Sequence, residues 1–391
     1  MSKKKYACVL DIGSSKITAL IGERGINNTF NIFGTGETQY AGFYKGEFLE
    51  PEKLPEIIQS SIEKAQNNSG IVVEKIYVGV PAEFSYCKTN FASISFKKRM
   101  KITSNEIYEF LDLVSKDVDT ENNVILNRSP IFFNLDDNRK CMNPNGQVSS
   151  KLAGEICFVF SQKSFIEDIN KILFDIGLGN VEYISSPLAE AIYLLEPEVR
   201  DTGAILIDVG YITTSIALVK GDGMLGLNSF SLGGGHLTAD LSEVLSISFK
   251  DAENLKRKIV LSLDASNDDL YDIVMNNGNA RSFEAKLTND IVKARMDMIA
   301  TLISKSLIVL KNTYNGYLPI YLTGGGISYL KGGKDYLSKA IGANIEVLSP
   351  KVPQLNRPHF SSVLGILDLA LSQNETKKLS FKEKLKKLFS K

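Results

Sequence analysis

Apolar and polar positions along this 391-residue chain fall into two recurring phrases. In the first, an apolar run ends in Asp-x-Gly, small hydroxylated residues fill a turn, and a second apolar run leaves. Cys8-Val9-Leu10-Asp11-Ile12-Gly13-Ser14-Ser15-Lys16 leads into Ile17-Thr18-Ala19-Leu20-Ile21. A second version starts at Ala204-Ile205-Leu206-Ile207-Asp208-Val209-Gly210-Tyr211-Ile212-Thr213-Thr214, with its aspartate 197 positions after Asp11. Short runs of this kind around a glycine turn predict paired strands. A third run, Ile320-Tyr321-Leu322-Thr323, ends in Gly324-Gly325-Gly326 ahead of a predicted helix reaching Ile341. The other phrase has helical period. Leu287, Ile291, Met298, Leu302 and Val309 step by four and seven, which predicts a long helix with that stripe in the core. Ala92 to Phe96 reads as a strand, and Ser104-Asn105-Glu106 opens a helix through Leu113.

The residue types at the turns suit anionic oxygens. Successive backbone N-H groups in a tight turn form a concave nest, and glycine admits close approach. Ser14, Ser15, Thr213 and Thr214 offer hydroxyl donors, and Lys16 offers a point charge. Asp11 and Asp208 would repel a phosphate directly, so the chemistry that uses them is a hydrated Mg²⁺ bridging phosphate oxygens. Two such turns face to face would clamp a triphosphate, with Gly324, Gly325 and Gly326 letting a ribose or flat ring approach the backbone. Either turn taken singly also reads as a plain hairpin; recurrence in a comparable frame favours the binding device.

Composition narrows the class without deciding it. Forty-five basic and 45 acidic residues leave no overall field for nucleic acid. The four cysteines form no CxxC pair and only two histidines are present, so the pattern predicts reduced thiols and no zinc site. Asp11 cuts the first apolar stretch at five residues, below the length of a secretion-signal core, and the expectation is a cytoplasmic protein.

Charge becomes local near the end of the sequence. Seven lysines face one carboxylate, Glu383, between Lys377 and Lys391. Phe381, Leu385, Leu388 and Phe389 share one helical stripe, with Lys382 and Lys386 among the surrounding cations. This basic amphipathic helix fits an anionic membrane surface; docking onto its own domain is the alternative the periodicity leaves open.

The three turn segments, in this order and spacing, resemble the actin, Hsp70 and sugar-kinase superfamily, and within it the bacterial cell-division FtsA family. The likeness covers nearly the whole chain, including Ser186-Pro187-Leu188-Ala189-Glu190-Ala191 and His359 to Leu367. It implies an α/β actin-like ATPase fold: two lobes, each a mixed β-sheet flanked by helices, plus an inserted small subdomain and a C-terminal amphipathic helix. Residues 1–81 and 165–200 would form the first lobe, 82–164 an insert for protomer contacts, 201–246 and 317–372 the second lobe, 247–316 a partner-binding subdomain, and 373–391 the linker and membrane helix.

The cofactors implied are ATP and Mg²⁺, held by Asp11, Gly13, Ser14, Ser15, Lys16, Asp208, Gly210, Tyr211, Thr213, Thr214, Gly235 and the 324–326 glycines. By the same resemblance Glu253 and Lys256 surround the adenosine, although their i, i+3 spacing also fits a solvated ion pair. Lys293 and Arg295 become contacts for the tail of the tubulin-like division protein FtsZ, and self-association head to tail is implied. The implied role is an adaptor tethering the FtsZ ring to the cytoplasmic face of the cell membrane at the division site. A pilus-assembly scaffold and a metabolic kinase of the same fold are the alternatives.

Tyr211, Ile212 and Ser215 replace residues common in the family's second turn, and Ser186 stands where several hydrolysing relatives have a water-orienting Glu. These departures imply slow hydrolysis at most.

Overall fold

The computed structural model describes residues 6–374, apart from 27, 28, 117, 119, 263, 267 and 315. The C-terminal basic stripe, including Phe381, Lys382, Leu385, Lys386, Leu388 and Phe389, lies outside the described residues.

Two five-stranded sheets repeat one topology. In the first, the strands Phe30–Gln39, Lys16–Arg24 and Ala7–Ile12 form an antiparallel meander, and Ala7–Ile12 continues in parallel to Ile76–Val80 and Val181–Ser185. In the second, Gly223–Phe230, Thr214–Lys220 and Ala204–Val209 make the meander, followed in parallel by Ile320–Thr323 and Ile345–Val347. The registers correspond: Asp11 lies opposite Thr18 and Asp208 opposite Ser215. The first strand of each sheet is buried almost throughout, as expected for a central strand covered on both faces.

The helices that cover these sheets are exchanged between them. Helix Ser186–Leu194 follows the last strand of the first sheet, yet Leu188 and Ala191 pack with Leu206, Ala217 and Val219 of the second. Pro187 at its start and Ser185, whose hydroxyl accepts from Leu188 N-H, set its N-terminus. The helix at 361–374 follows the second sheet, yet Val363, Leu364, Ile366, Leu367, Ala370 and Leu371 pack with Val9, Leu20, Tyr77 and Ile184 of the first. Six buried apolar side chains contribute on the order of 10 kcal/mol of gross transfer free energy. The sequence reading placed 317–372 in the second lobe; the core contacts move the 361–374 helix to the first. The two helices cross where Gly365 meets the backbone of Ala189 and Glu190, and a Cβ at 365 would stand 2.7 Å from those atoms.

Two further units complete the chain. Strands Ser85–Lys101, Val148–Gln162, Asn123–Leu135 and Lys140–Cys141 form a separate antiparallel sheet backed by helix Ser104–Ser115, which Thr103 and Glu106 cap reciprocally. Phe110, Phe133, Phe158 and Phe160 fill its core. Its far edge reaches the second lobe, where Asp222 N-H donates to Pro130 O at 3.0 Å. Within the second lobe, helix Gly234–Leu245, helix Phe249–Lys256, a hairpin of Leu270–Val274 with Ala280–Glu284, and helix Ala285–Lys311 share one core.

The long helix reverses the predicted face. Leu287, Met298 and Val309 are 45%, 52% and 62% exposed, and Ile291 and Leu302 are half-buried. The buried face is instead Val292, Met296, Ile299, Ile303, Leu307 and Leu310 together with Thr288, Asn289 and Ser306. Those polar residues find partners: Tyr271 OH donates to Asn289 Oδ1, and Asn228 donates to Ser306 Oγ. A hydrogen-bonded polar residue is buried at little cost, so the inner stripe could include Thr288, Asn289 and Ser306 among its apolar residues.

Candidate functional site

Both Asp-x-Gly turns open into one cleft between the lobes. Each is closed by the same bond: Gly13 N-H donates to Lys16 O at 3.1 Å and Gly210 N-H to Thr213 O at 2.9 Å. The turns touch across the cleft, where Ile212 N-H donates to Ser14 Oγ at 3.0 Å. The cavity so enclosed has a volume of about 1020 Å³, large enough for a nucleoside triphosphate. Asp11, Gly13, Ser14, Ser15, Lys16, Asp208, Tyr211, Thr213, Glu253, Lys256, Gly324 and Gly325 all line it.

Several predicted residues serve the walls of the cleft instead of facing it. Thr214 is fully buried and its hydroxyl donates to Leu232 O at 2.7 Å, so it offers nothing to a ligand. Thr213, the turn residue just before that strand, takes the cleft side. Gly210, Gly235 and Gly326 lock loops together. A Cβ on Gly326 would lie 2.2 Å from Gly210 O, and one on Gly235 would lie 2.7 Å from the Tyr211 ring. Gly326 N-H donates to Val209 O and Gly234 N-H to Gly210 O, at 2.7 and 2.9 Å. Gly324 has φ +93°, and its missing Cβ leaves room for Asp208 Oδ1.

Lys256, 6% exposed, spends its three donors on Gly234 O, Thr238 Oγ1 and Glu253, at 3.1, 2.9 and 2.6 Å. Glu253 also accepts from Thr238 Oγ1 at 2.6 Å. This is neither the solvated surface pair nor a set of unspent ligand donors; it is a clamp on the first turn of helix Gly234–Leu245. Lys16 is paired with Glu37 beside the Phe360 ring. At the cleft mouth His359 bonds Tyr329, and burial lowers its proton affinity to a pKa of about 4, so it is neutral at pH 7. Arg295 makes a bidentate pair with Asp240, both contacts at 2.6 Å, while Lys293 lies half-buried nearby on the same helix.

The electrostatics concentrate at the floor. Burial raises Asp11 to a pKa of about 6, against the smaller lowering effects of a Ser362 hydrogen bond (2.9 Å) and Lys16. Burial and then Asp11 raise Asp208 to about 7. A third carboxyl joins them: Glu190 is 3% exposed and lines the cavity, and burial, then Asp208 and Asp11, push its proton affinity well above the usual carboxylate range. The sequence pattern assigns Glu190 no role. A lone carboxyl inside an apolar helix was the available signal.

This donor set suits a hard cation, since carboxylate oxygens gather there with little compensating positive charge. Among the described residues no three or more His, Cys, Asp or Glu side chains converge to ligate a metal directly. Asp11 and Asp208 would therefore hold Mg²⁺ through its waters, and the ion would supply charge neutralisation for phosphate oxygens.

Comparison with known proteins agrees with this geometry. The sequence model of the family described as Cell division protein FtsA matches residues 205–365. The chain is similar to the cell division protein FtsA of Enterococcus hirae, 26% identical over 97% of this chain and 86% of that protein. It is also similar to the FtsA of Bacillus subtilis, 22% identical over 98% and 88%. Among solved structures, the PilM-PilN type IV pilus biogenesis complex superposes with a TM-score of 0.62 at 18% identity, covering 93% of this chain and 98% of that one. MreB5 of Spiroplasma citri bound to AMPPNP gives 0.56 at 11% identity, covering 97% and 99%. No helix among the described residues is long and apolar enough to cross a membrane. With the duplicated sheet and the shared cleft, this chain has the actin-like fold, and it is similar to cell division FtsA proteins along nearly its whole length.

Proposed function

We propose that the chain is an ATP-binding adaptor of the division apparatus, assembling head to tail and fastening an FtsZ ring to the cytoplasmic face of the cell membrane. The observation that carries this reading is the pair of Asp-x-Gly turns bonded across one cleft, in a chain whose FtsA relatives match it along nearly all its length. Mg²⁺-ATP would bridge both turns and stabilise the closed arrangement of the lobes. A head-to-tail contact that does not close into a ring makes a filament, and a filament multiplies weak contacts between Lys377–Lys391 and anionic lipid. Lys293 and Arg295, whose guanidinium also meets Met298 Sδ at 3.6 Å, share one helix with the exposed Leu287 and Met298, a combination suited to an acidic-hydrophobic peptide.

The test is liposome co-sedimentation with and without residues 377–391, with ATP and the FtsZ tail peptide present. Loss of lipid binding on truncation, with peptide binding kept, supports the adaptor. Lipid binding without peptide binding would favour the pilus-scaffold alternative. ATP-dependent phosphorylation of a small hydroxylated compound would favour the kinase.

A further inference from the structure

The short hairpin of Phe43–Tyr44 with Glu47–Phe48 is rooted in the first lobe and bonded at its tip to the second. Its root is apolar: Phe43 and Phe48 join Phe84 and Phe165 in a ring cluster of the first-lobe core, with neighbouring centroids 4.6 to 6.1 Å apart. Gly42, at φ +88°, packs against both Asp-x-Gly turns; a Cβ there would stand 2.1 Å from Ser14 O and 2.8 Å from Ile212 Cδ1. Phe43 then lines the cavity beside Pro81 and Ala82. The tip residues Lys45 and Gly46 have φ of 51° and 77°, the backbone of a tight two-residue hairpin loop and an uncommon one for lysine. Their successive N-H groups are both engaged. Lys45 N-H donates to Ser231 Oγ at 3.0 Å, Gly46 N-H to Glu83 Oε2 at 3.1 Å, and Ser231 Oγ to Glu83 Oε1 at 2.7 Å. Glu83 belongs to the short turn Ala82–Phe84 that leads into the insert, and Ser231 follows strand Gly223–Phe230 of the second lobe. The bonds therefore close a ring through three separate stretches of chain, and the same hairpin, at Gly42, meets both residues of the cross-cleft bond between Ile212 and Ser14.

We propose that this hairpin is a clasp: Ser231 and Glu83 hold its tip against the second lobe, and release of the tip parts the two Asp-x-Gly turns and sets how fast a phosphate-bearing ligand enters and leaves the cleft. The consequence for ligand exchange rests on the nucleotide-binding reading; the clasp itself does not. Neither Ser231 nor Glu83 is among the residues lining the cavity, so both are positioning residues that act by holding its wall. Ser231 is the second-lobe member, and its hydroxyl meets Lys45 N-H and Glu83 together, so its loss frees the tip altogether. An amide at 83 has one acceptor oxygen for two donors, Ser231 Oγ-H and Gly46 N-H, yet it leaves the bond from Lys45 N-H to Ser231 in place. The clasp is weakened by that change and not undone.

The experiment compares wild type, Ser231→Ala and Glu83→Gln in the full chain. Without nucleotide, amide hydrogen exchange is followed at Lys45, Gly46 and Ile212, the last reporting separation of the turns because its N-H bonds across the cleft to Ser14 Oγ. Ser231→Ala should exchange roughly tenfold faster at all three amides, and Glu83→Gln about threefold faster. Dissociation of a fluorescent ATP analogue with Mg²⁺, chased by excess unlabelled Mg²⁺-ATP, should quicken in the same order, by roughly tenfold and about threefold. Faster exchange confined to Lys45 and Gly46, with Ile212 unchanged, would mean that the hairpin seals only its own lobe, and would overturn the proposal. Release of the analogue from Ser231→Ala at the wild-type rate would overturn it too. Wild type that binds no Mg²⁺-ATP sinks the nucleotide reading instead, and exchange at Ile212 still decides the clasp.

Discussion

Replacing Asp208 with asparagine should stabilise the nucleotide-free protein at alkaline pH while removing its response to Mg²⁺-ATP. Asp208 carries a pKa raised from 3.8 to about 7 by burial and by Asp11. The folded chain therefore holds that proton more tightly than the unfolded chain does. Stability associated with the proton is fully present below about pH 4 and is lost as pH climbs through about 7. At about 1.4 kcal/mol per pH unit the full displacement amounts to roughly 4 kcal/mol, and water in the open cleft reduces this to about 2 to 4 kcal/mol. Asparagine is close in shape and carries no charge to desolvate. Unfolding entropy of about 2.1 cal/mol/K per residue gives roughly 0.8 kcal/mol/K for a chain this size, so the variant should melt about 3 to 5 °C higher at pH 8. The difference should shrink steadily toward pH 4. Addition of Mg²⁺-ATP at a hundred times its Kd adds about 2.7 kcal/mol to wild type, roughly 3 °C, and much less to the variant. Differential scanning fluorimetry from pH 4 to 8, with and without nucleotide, measures both effects. A variant that melts below wild type at pH 8 without nucleotide, or that keeps the wild-type pH slope, refutes the argument.

Other substitutions probe the scaffold that holds the cleft. Arg200 is buried and donates to the carbonyls of Gly221, Ile192 and Leu195 and to Asp222; Arg200→Met should cost about 3 to 5 kcal/mol in urea unfolding. Gly326→Ala drives a Cβ against Gly210 O, and should cost about 1 to 3 kcal/mol and weaken Mg²⁺-ATP binding in calorimetry. Glu83 accepts from Ser231 Oγ at 2.7 Å and Gly46 N-H at 3.1 Å, tying the root of the insert to both lobes; Glu83→Ala should speed hydrogen exchange at Gly46 and cost about 1 to 3 kcal/mol.

What the sequence made legible was whatever repeats or punctuates. Asp11 and Asp208 declared the duplicated sheets because a strand ending in Asp-x-Gly is short-range, and its recurrence needs no knowledge of tertiary contacts. Thr213 and Thr214 were harder to separate, since the boundary between turn and strand falls between them. The helix Ala285–Lys311 was harder. It carries two apolar stripes, and the inner one is interrupted by Thr288, Asn289 and Ser306, whose burial depends on partners distant in sequence. Lys256 shows the same limit: an i, i+3 pair with Glu253 reads alike on a solvated surface and in a buried clamp, and only the Gly234 carbonyl and Thr238 distinguish them. Glu190 stood out only as a lone carboxyl in an apolar helix; that it faces the floor of the cleft depends on packing against strands distant in sequence.

The exchanged helices also limit how this molecule can be divided. Each half of the chain makes a helix that it lends to the other: 186–194 seals the second sheet, and 361–374 seals the first. A fragment ending near residue 200 would lack the cover over Val9, Leu20 and Tyr77, and the complementary fragment would lack the cover over Leu206 and Ala217. Neither is a self-sufficient folding unit, and reconstitution would require both pieces to meet before their bare faces found other company. At Gly365 and Ala189 the loaned helices touch backbone to backbone, so the two exchanged covers also brace each other.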